Sequence, residues 1–472
     1  MTDPVLDALL KDRSGRFNKT DDFLGDLLSE PSPVGIGDVV RYDHLRQRWL
    51  VWNGVRWRPD LTERVNDMTR VKAGEWMGSS GFDGEDRKAV MPIFDGGKKA
   101  GVLKSLRARP EIAMTGNEWD TDGMLVGFEN GIMDFRTPGD LIWHDDPDPS
   151  LMVSKSVGVD WDPEATCPTF DWFLGDIMDG DEALVAYLRR LVGYSLLGTQ
   201  AEQKFWMWVG RGSNGKGVLA RTLRYVFGDY GDAPADTLYM RSRLGAARSD
   251  SARPDLLRLQ SIRFTYMSEP PGGQFNEEML KAHTGEDMIL ARNLYAKAEQ
   301  MALFSPTHKI VFLTNDPPRT DDVGVSMSRR VRVVRFEQDY SESPDRTLED
   351  RLKRERAGIL NLAIREAHAW LTDGMPEPDA VLRWSQEYIN ENDPLSDFIK
   401  ERCAVGRLER GQSSSLWGSY EEWAKAQGVE AMSRTGFGLA LGRRFKSKHT
   451  ETGKVYLGIR ALNAGELADA AE

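Results

Sequence analysis

One stretch constrains this chain more than any other: FWMWVGRGSNGKGVLARTL, Phe205 to Leu223. A short apolar run breaks into a loop with glycines at 210, 212 and 215, and Lys216 stands just before a helical pattern. A strand that apolar has no polar face to show to water, so it needs a sheet around it and layers above and below. Three further runs, SIRFTYMSE, KIVFLTN and VRVVRF, are equally short, apolar and β-rich, and helical stretches separate them up to about Phe336. This alternation predicts an α/β core, a three-layer arrangement around a parallel sheet.

The loop from Gly210 to Lys216 follows the pattern G-x-x-x-x-G-K. Glycines let backbone N–H groups curl around phosphate oxygens, and the following helix presents its positive end to them. Gly210, Arg211, Gly212, Ser213, Asn214, Gly215, Lys216, Gly217 and Val218 are therefore the candidate nucleotide-contacting residues, with Lys216 reaching the β- and γ-phosphates. The position after the lysine normally supplies a hydroxyl to Mg²⁺. Here it is Gly217, and a water would have to take that place. The alternative is a glycine-rich turn beside a surface lysine.

Three companions favour the nucleotide reading. Glu269 ends the second apolar run, where an acid would hold Mg²⁺ and position water. Asn315 ends the third, in the place of a γ-phosphate sensor, and Arg329 and Arg330 open the fourth. Singly these are a strand-capping acid, a polar strand end and solvated arginines. Their order over about 120 residues is much harder to obtain by accident.

With these motifs in hand, the chain resembles the superfamily 3 helicase module of phage and plasmid primase-helicases, related to the poxvirus helicase-primase. The resemblance rests on MSEPPGGQFNEEMLKAHTGEDMILARNLYAKAEQMALFSPTHKIVFLTNDPP, with FENGIMDFRTPG and the helical FLGDIMDGDEALVAYLRRLVGYSLLG upstream and GILNLAIREAHAWLTDG downstream. It implies an AAA+-like P-loop ATPase that binds ATP and Mg²⁺ and acts as a ring, usually a hexamer. Such a ring would move 3′ to 5′ on single-stranded DNA and unwind forked duplexes in phage or plasmid replication. By the same resemblance Lys216 holds the phosphates, Glu269 holds Mg²⁺ and activates water, and Asn315 is the sensor. Arg330, or Arg329 in its stead, is the finger that completes a neighbouring subunit's site. Lys281, Thr284, Gly285 and Arg292 lead into a hairpin lining the channel, with Lys297 at its tip. A loader or defence ATPase, and an origin-binding initiator, stand as rival functions.

The expected organisation is a loose tail at 1–20, an α+β domain at 21–150 and a helical collar at 151–203. The ATPase core follows at 204–340, helices at 341–385, a winged-helix-like domain at 386–465 and a short tail at 466–472. In the last domain Arg434, Arg443, Arg444, Lys446, Lys448 and Lys454 form a basic pattern that phosphates or solvent could meet. In RQRWLVWNGVRWRPD the Asn53-Gly54 pair marks a hairpin, and Trp49, Trp52 and Trp57 are expected to pack in a core rather than stack bases. The Asp120 and Asp122 pair lacks the companion motifs of a primase, so a separately encoded primase is the expected partner. A formal net charge of −12 argues against a protein coated with nucleic acid and leaves room for a local basic grip. No run of about 18 apolar residues occurs, and Cys167 and Cys403 form no C-x-x-C pair, so a cytoplasmic setting without membrane contact is expected.

Overall fold

The computed structural model describes residues 4–13, 20–137, 139–241, 252–270, 273–292, 301–320, 322–393, 395–429, 431–451, 453–463 and 466. Its centre is a five-stranded parallel sheet in the order Val331–Arg335, Phe205–Val209, Lys309–Thr314, Phe264–Ser268, Gly231–Asp232. All of Lys309–Thr314 is buried, as are four of the five residues in Phe205–Val209 and in Val331–Arg335. Burial on both faces is why these runs show no polar alternation. Because the strands are parallel, their C-terminal ends share one edge of the sheet, and the loops there can converge on one site.

Lys309 opens its strand completely buried, and burial holds its pKa well below the usual lysine range. Its ammonium donates to the carbonyls of Leu197, Thr199 at 2.8 Å and Thr307 at 3.2 Å, and lies 4.2 Å from the Tyr194 ring centre. Carbonyl dipoles and a ring face are what an ammonium stripped of water requires. They fasten the sheet to the segment after the helix Glu182–Tyr194. That helix packs along Arg356–Asp373, from the far side of the sheet sequence. Gly193 makes the approach possible, since a Cβ there would sit 2.3 Å from the Ala367 nitrogen.

The N-terminal stretch has its own core of Leu24, Leu28, Trp76, Val102 and Leu106 among others. A four-stranded sheet lies beside it, in the order Trp57–Pro59, Arg48–Trp52, Val40–Asp43, Ala113–Met114. The Asn53-Gly54 turn is where the sequence places it, and Trp52 pairs with Trp57 across it. Trp57 is fully buried against Trp119, so this ring is a core residue. The loose tail expected at 1–20 is corrected for part of its length. Pro4–Arg13 is a helix whose Leu6 and Leu10 are buried in the same core, two apolar side chains one turn apart that a neighbouring surface turns into an anchor.

A meander of Leu125–Gly127, Ile132–Asp134 and Ile142–His144 follows. After the central sheet, Asp379–Glu391 packs on Val331–Arg335, where Ser385 Oγ accepts the Val333 N–H at 2.9 Å. The remaining order is helix Ser396–Arg402, strand Cys403–Gln412, helices Ser413–Gln427 and Arg434–Arg444, and strands Ser447–Thr450 and Gly453–Ala461. Phe398, Tyr420, Trp423, Phe437 and Tyr456 fill its separate core. No helix among the described residues is long and apolar enough to cross a membrane.

Candidate functional site

The glycine-rich loop joins Phe205–Val209 to the helix Lys216–Val226. Two of its residues take left-handed backbone conformations, Ser213 at φ 57° and Gly215 at φ 85°. The loop is clamped from three directions. Asn214 Nδ2 donates to the Phe336 carbonyl at 3.2 Å, and the Tyr340 N–H donates to the Ser213 carbonyl at 2.8 Å. A Cβ at Gly215 would meet Ile177 at 2.5 Å, so the helix Pro168–Ile177 packs directly on the loop. Gly210 is equally confined, with Asn214 Nδ2 and the Phe336 carbonyl at 2.1 and 2.4 Å from its missing Cβ.

Lys216 is 6% exposed and points back into this loop. Its ammonium donates to the Gly210 carbonyl at 2.7 Å and to Asn315 Oδ1 at 3.1 Å. Both partners are neutral, and burial lowers its pKa while the charge of nearby Glu269 opposes that shift. Glu269 and Asn315 end adjacent strands, both exposed at the sheet edge where Gly210 stands. The Glu269 N–H donates to the Leu313 carbonyl at 2.8 Å, and the Gly210 N–H to the Thr314 carbonyl at 3.2 Å. So Lys216, Glu269 and Asn315, distant in sequence, meet at one edge.

The residues fit a nucleoside triphosphate with its cation. A buried ammonium held by neutral oxygens at a helix N-terminus calls for an anion, and Glu269 is an open carboxylate beside it. At Gly217 a Cβ would find only the flexible Arg221 Nη1 at 3.1 Å, so a hydroxyl is missing for lack of a side chain and not for lack of room. Among the described residues no group of three or more His, Cys, Asp or Glu side chains could hold a metal alone, and a cation here would rely on phosphate and water oxygens as well.

Arg329 and Arg330 are placed elsewhere. The Arg330 carbonyl accepts the N–H of Phe205, at the opposite end of the strand from the loop. Five strand residues at about 3.3 Å each separate that end from Gly210 by about 16 Å. Arg330 is 8% exposed and donates to the Ser326 carbonyl at 2.8 Å and its Oγ at 3.1 Å; Arg329 is exposed, 3.4 Å from Gln203 Oε1. Neither reaches the loop of its own chain.

Lys281 forms an ion pair with Asp322, and Thr284 turns its hydroxyl onto the Leu280 carbonyl at 2.6 Å. Gly285 follows in a turn. Arg292 ends the strand Ile289–Arg292, which pairs antiparallel with Met301–Phe304 on either side of the expected hairpin tip. Lys297 lies outside the described residues. Arg443 and Arg444 close the helix Arg434–Arg444, Arg444 is 2.5 Å from buried Asp393, and Lys446 follows. Asp120 accepts the N–H groups of Ser154 at 2.7 Å and Lys155 at 3.0 Å, and Asp122 the N–H of Met124 at 2.9 Å.

One buried network escaped the sequence reading. Tyr239 Oη lies 2.9 Å from both His283 Nδ1 and His308 Nε2. Nothing local announces it, because its members come from three separate elements.

A strand, a glycine loop, a helix-capping lysine and polar strand ends on one edge of a parallel sheet define a P-loop NTPase-like core. Two family comparisons then place the flanks: residues 30–179 match the family described as "D5 N terminal like", and residues 390–461 match "Poxvirus D5 protein-like". The chain is thus similar to D5-type families on either side of its sheet, and the resemblance read from the motifs is borne out. The Acanthamoeba polyphaga mimivirus protein named "Putative helicase L207/L206" is 28% identical over 369 residues, 72% of this chain and 37% of that protein. The African swine fever virus protein named "Putative primase C962R" is 26% identical over 263 residues, 54% of this chain and 26% of that protein. The chain thus spans well under half the length of these relatives. A solved structure of the NrS-1 C-terminal region aligns with a TM-score of 0.48 at 9% identity, covering 93% of this chain and 98% of that one.

Proposed function

We propose that this chain is the motor of a superfamily 3 DNA helicase, an ATP- and Mg²⁺-dependent ring that moves 3′ to 5′ on single-stranded DNA and separates forked duplex during replication. The observation that carries the reading is Lys216, a buried cation with only neutral partners at the mouth of a glycine loop. Phosphate would replace the Gly210 carbonyl and Asn315 as its partner. ATP and Mg²⁺, when bound, supply the hydrolysable phosphoanhydride and the charge neutralisation its cleavage needs. Glu269 would orient and deprotonate water, and Asn315 would register the terminal phosphate.

The position of Arg330 supports a ring. An arginine about 16 Å along the sheet from its own loop can meet a phosphate only in another subunit. The hairpin strands Ile289–Arg292 and Met301–Phe304 would then follow the DNA strand, with Lys281 and Arg292 at its base, while Arg443, Arg444 and Lys446 would offer a second contact in a winged-helix-like unit. Asp120 and Asp122 accept backbone N–H groups and are assigned no priming role, and a separately encoded primase would be the partner.

The test is unwinding of a forked duplex with ATP and Mg²⁺, alongside Lys216→Ala. Strand separation by the natural sequence and none by the variant is the expected result. Hydrolysis without separation would move the reading to a loader or initiator, and no hydrolysis at all would mean that Gly217 disables the site.

A further inference from the structure

The hairpin sequence RQRWLVWNGVRWR carries a second pattern beside its tryptophans: Arg46 and Arg48, then Arg56 and Arg58, each pair two residues apart. Both pairs straddle the start of a strand, Arg48–Trp52 and Trp57–Pro59. The structure gathers all four, with Lys155 and Arg258, around a cavity of about 490 Å³ between the N-terminal sheet and the edge of the central one. This falls in the roughly 300–1,000 Å³ range of small-ligand sites. Six cations converge there in a chain whose formal net charge is −12.

Only Asp120 and Asp229 among the lining residues are acidic, and both are engaged. Asp120 accepts from Ser154 and Lys155, and Asp229 accepts the Ser156 N–H at 3.1 Å. Behind the wall, Asp43 pairs with Arg46 at 2.8 Å, Glu129 with Arg56 at 2.7 Å and Asp232 with Arg258 at 2.8 Å. These carboxylates hold the arginines in place while Arg58 remains 54% exposed, 3.9 Å from Glu129.

Arg258 is 61% exposed and Arg58 54%, so these two guanidinium groups stand open at the wall, while Arg56 and Trp119 are buried behind it. What satisfies such a cationic wall is an anion rich in acceptor oxygens.

We propose that this cavity is a phosphoryl-binding site separate from the glycine loop, taking the phosphate of a nucleotide unit. Exposed Leu61 and Pro59 at its border offer an apolar rest for the attached sugar or base. The unit is either a backbone phosphate of single-stranded DNA or a free nucleotide, which present the same oxygens. The site holds whether or not the chain unwinds DNA.

The experiment uses full-length Lys216→Ala protein, so that the glycine loop contributes nothing, and a fluorescein-labelled oligodeoxythymidylate read by anisotropy over a salt series. Arg48→Gln with Arg58→Gln should weaken binding about tenfold at low salt and reduce the salt slope by about 1.4, the release expected for two single-strand phosphate contacts. Arg58→Glu, at an exposed lining arginine, should weaken binding at least as strongly with an unchanged melting curve. Calorimetric titration with pyrophosphate is the second arm. Loss of pyrophosphate binding in the double arginine variant, with oligonucleotide binding intact, assigns the site to a free nucleotide. Unchanged affinity for both probes in both folded variants overturns the proposal.

Discussion

Acid should loosen this protein at the Tyr239, His283 and His308 network before it reaches the carboxylates. One hydroxyl serves two imidazoles, so it donates to one and accepts from the other. His308 Nδ1 is buried with no partner. A buried acceptor without a donor costs less than a buried donor without an acceptor, so His308 donates through Nε2 and Tyr239 donates to His283 Nδ1. Protonating His283 at Nδ1 would set two donors against one oxygen inside the core. Burial first, then the charge of Arg253, lowers the His283 pKa from 6.5 to about 4, with Asp255 opposing; burial and the neighbouring His283 and Lys309 lower His308 as well.

The folded pKa lies below the unfolded one, so the unfolded chain binds the extra proton. The stability is therefore complete above pH 6.5 and is lost as pH falls from 6.5 through about 4. The gap corresponds to about 3 kcal/mol for His283 alone. Urea denaturation followed by tryptophan fluorescence between pH 7.5 and 4.5 measures it, with His283→Asn as comparison because an asparagine oxygen can accept the Tyr239 hydroxyl. The natural sequence should lose about 2.5 kcal/mol more than the variant across that window, which ends just short of the folded pKa. Parallel losses in the two proteins would refute the tautomer assignment and the burial argument together. His283 ends the helix Glu277–His283 that leads to the hairpin strands, so the hairpin base should be the first part released.

Two further outcomes test the nucleotide site. Lys216→Ala and Arg330→Ala should each lack ATPase activity alone, yet regain part of it when mixed, because some interfaces then pair an intact loop with an intact arginine; no recovery would remove Arg330 from the site. Gly217→Ser should fold about 0.5 kcal/mol more stably, since serine is the better helix former and only the Arg221 guanidinium lies near its Cβ. It should also lower the Mg²⁺ concentration needed for half-maximal hydrolysis, and an unchanged titration would place this position outside the cation's reach.

The parts legible in the sequence are those whose cause is local. A buried parallel strand must be apolar on both faces, so the four main strands of the sheet stand out as short runs bounded by polar residues. The loop from Gly210 to Lys216 is legible because backbone conformations such as φ 85° at Gly215 select glycine. The hairpin at Asn53-Gly54 follows from turn chemistry and from strands of matching length.

Tertiary structure decided the rest, because charge and burial are properties of surroundings. Nothing near Lys309 in sequence says that its ammonium will be stripped of water and met by carbonyls of Leu197 and Thr199. Leu6 and Leu10 look like two apolar residues in a polar tail until a core lies beside them. Four arginines around a hairpin read as solvated charge until Trp119, Lys155 and Arg258 close a cavity over them. Above all, Arg330 is near the candidate catalytic residues in the order of the chain and remote from them in space. The sequence by itself determined that a phosphate loop, an acid and an arginine exist in one sheet. Only the direction of parallel strands put the first two at one end and the third at the other.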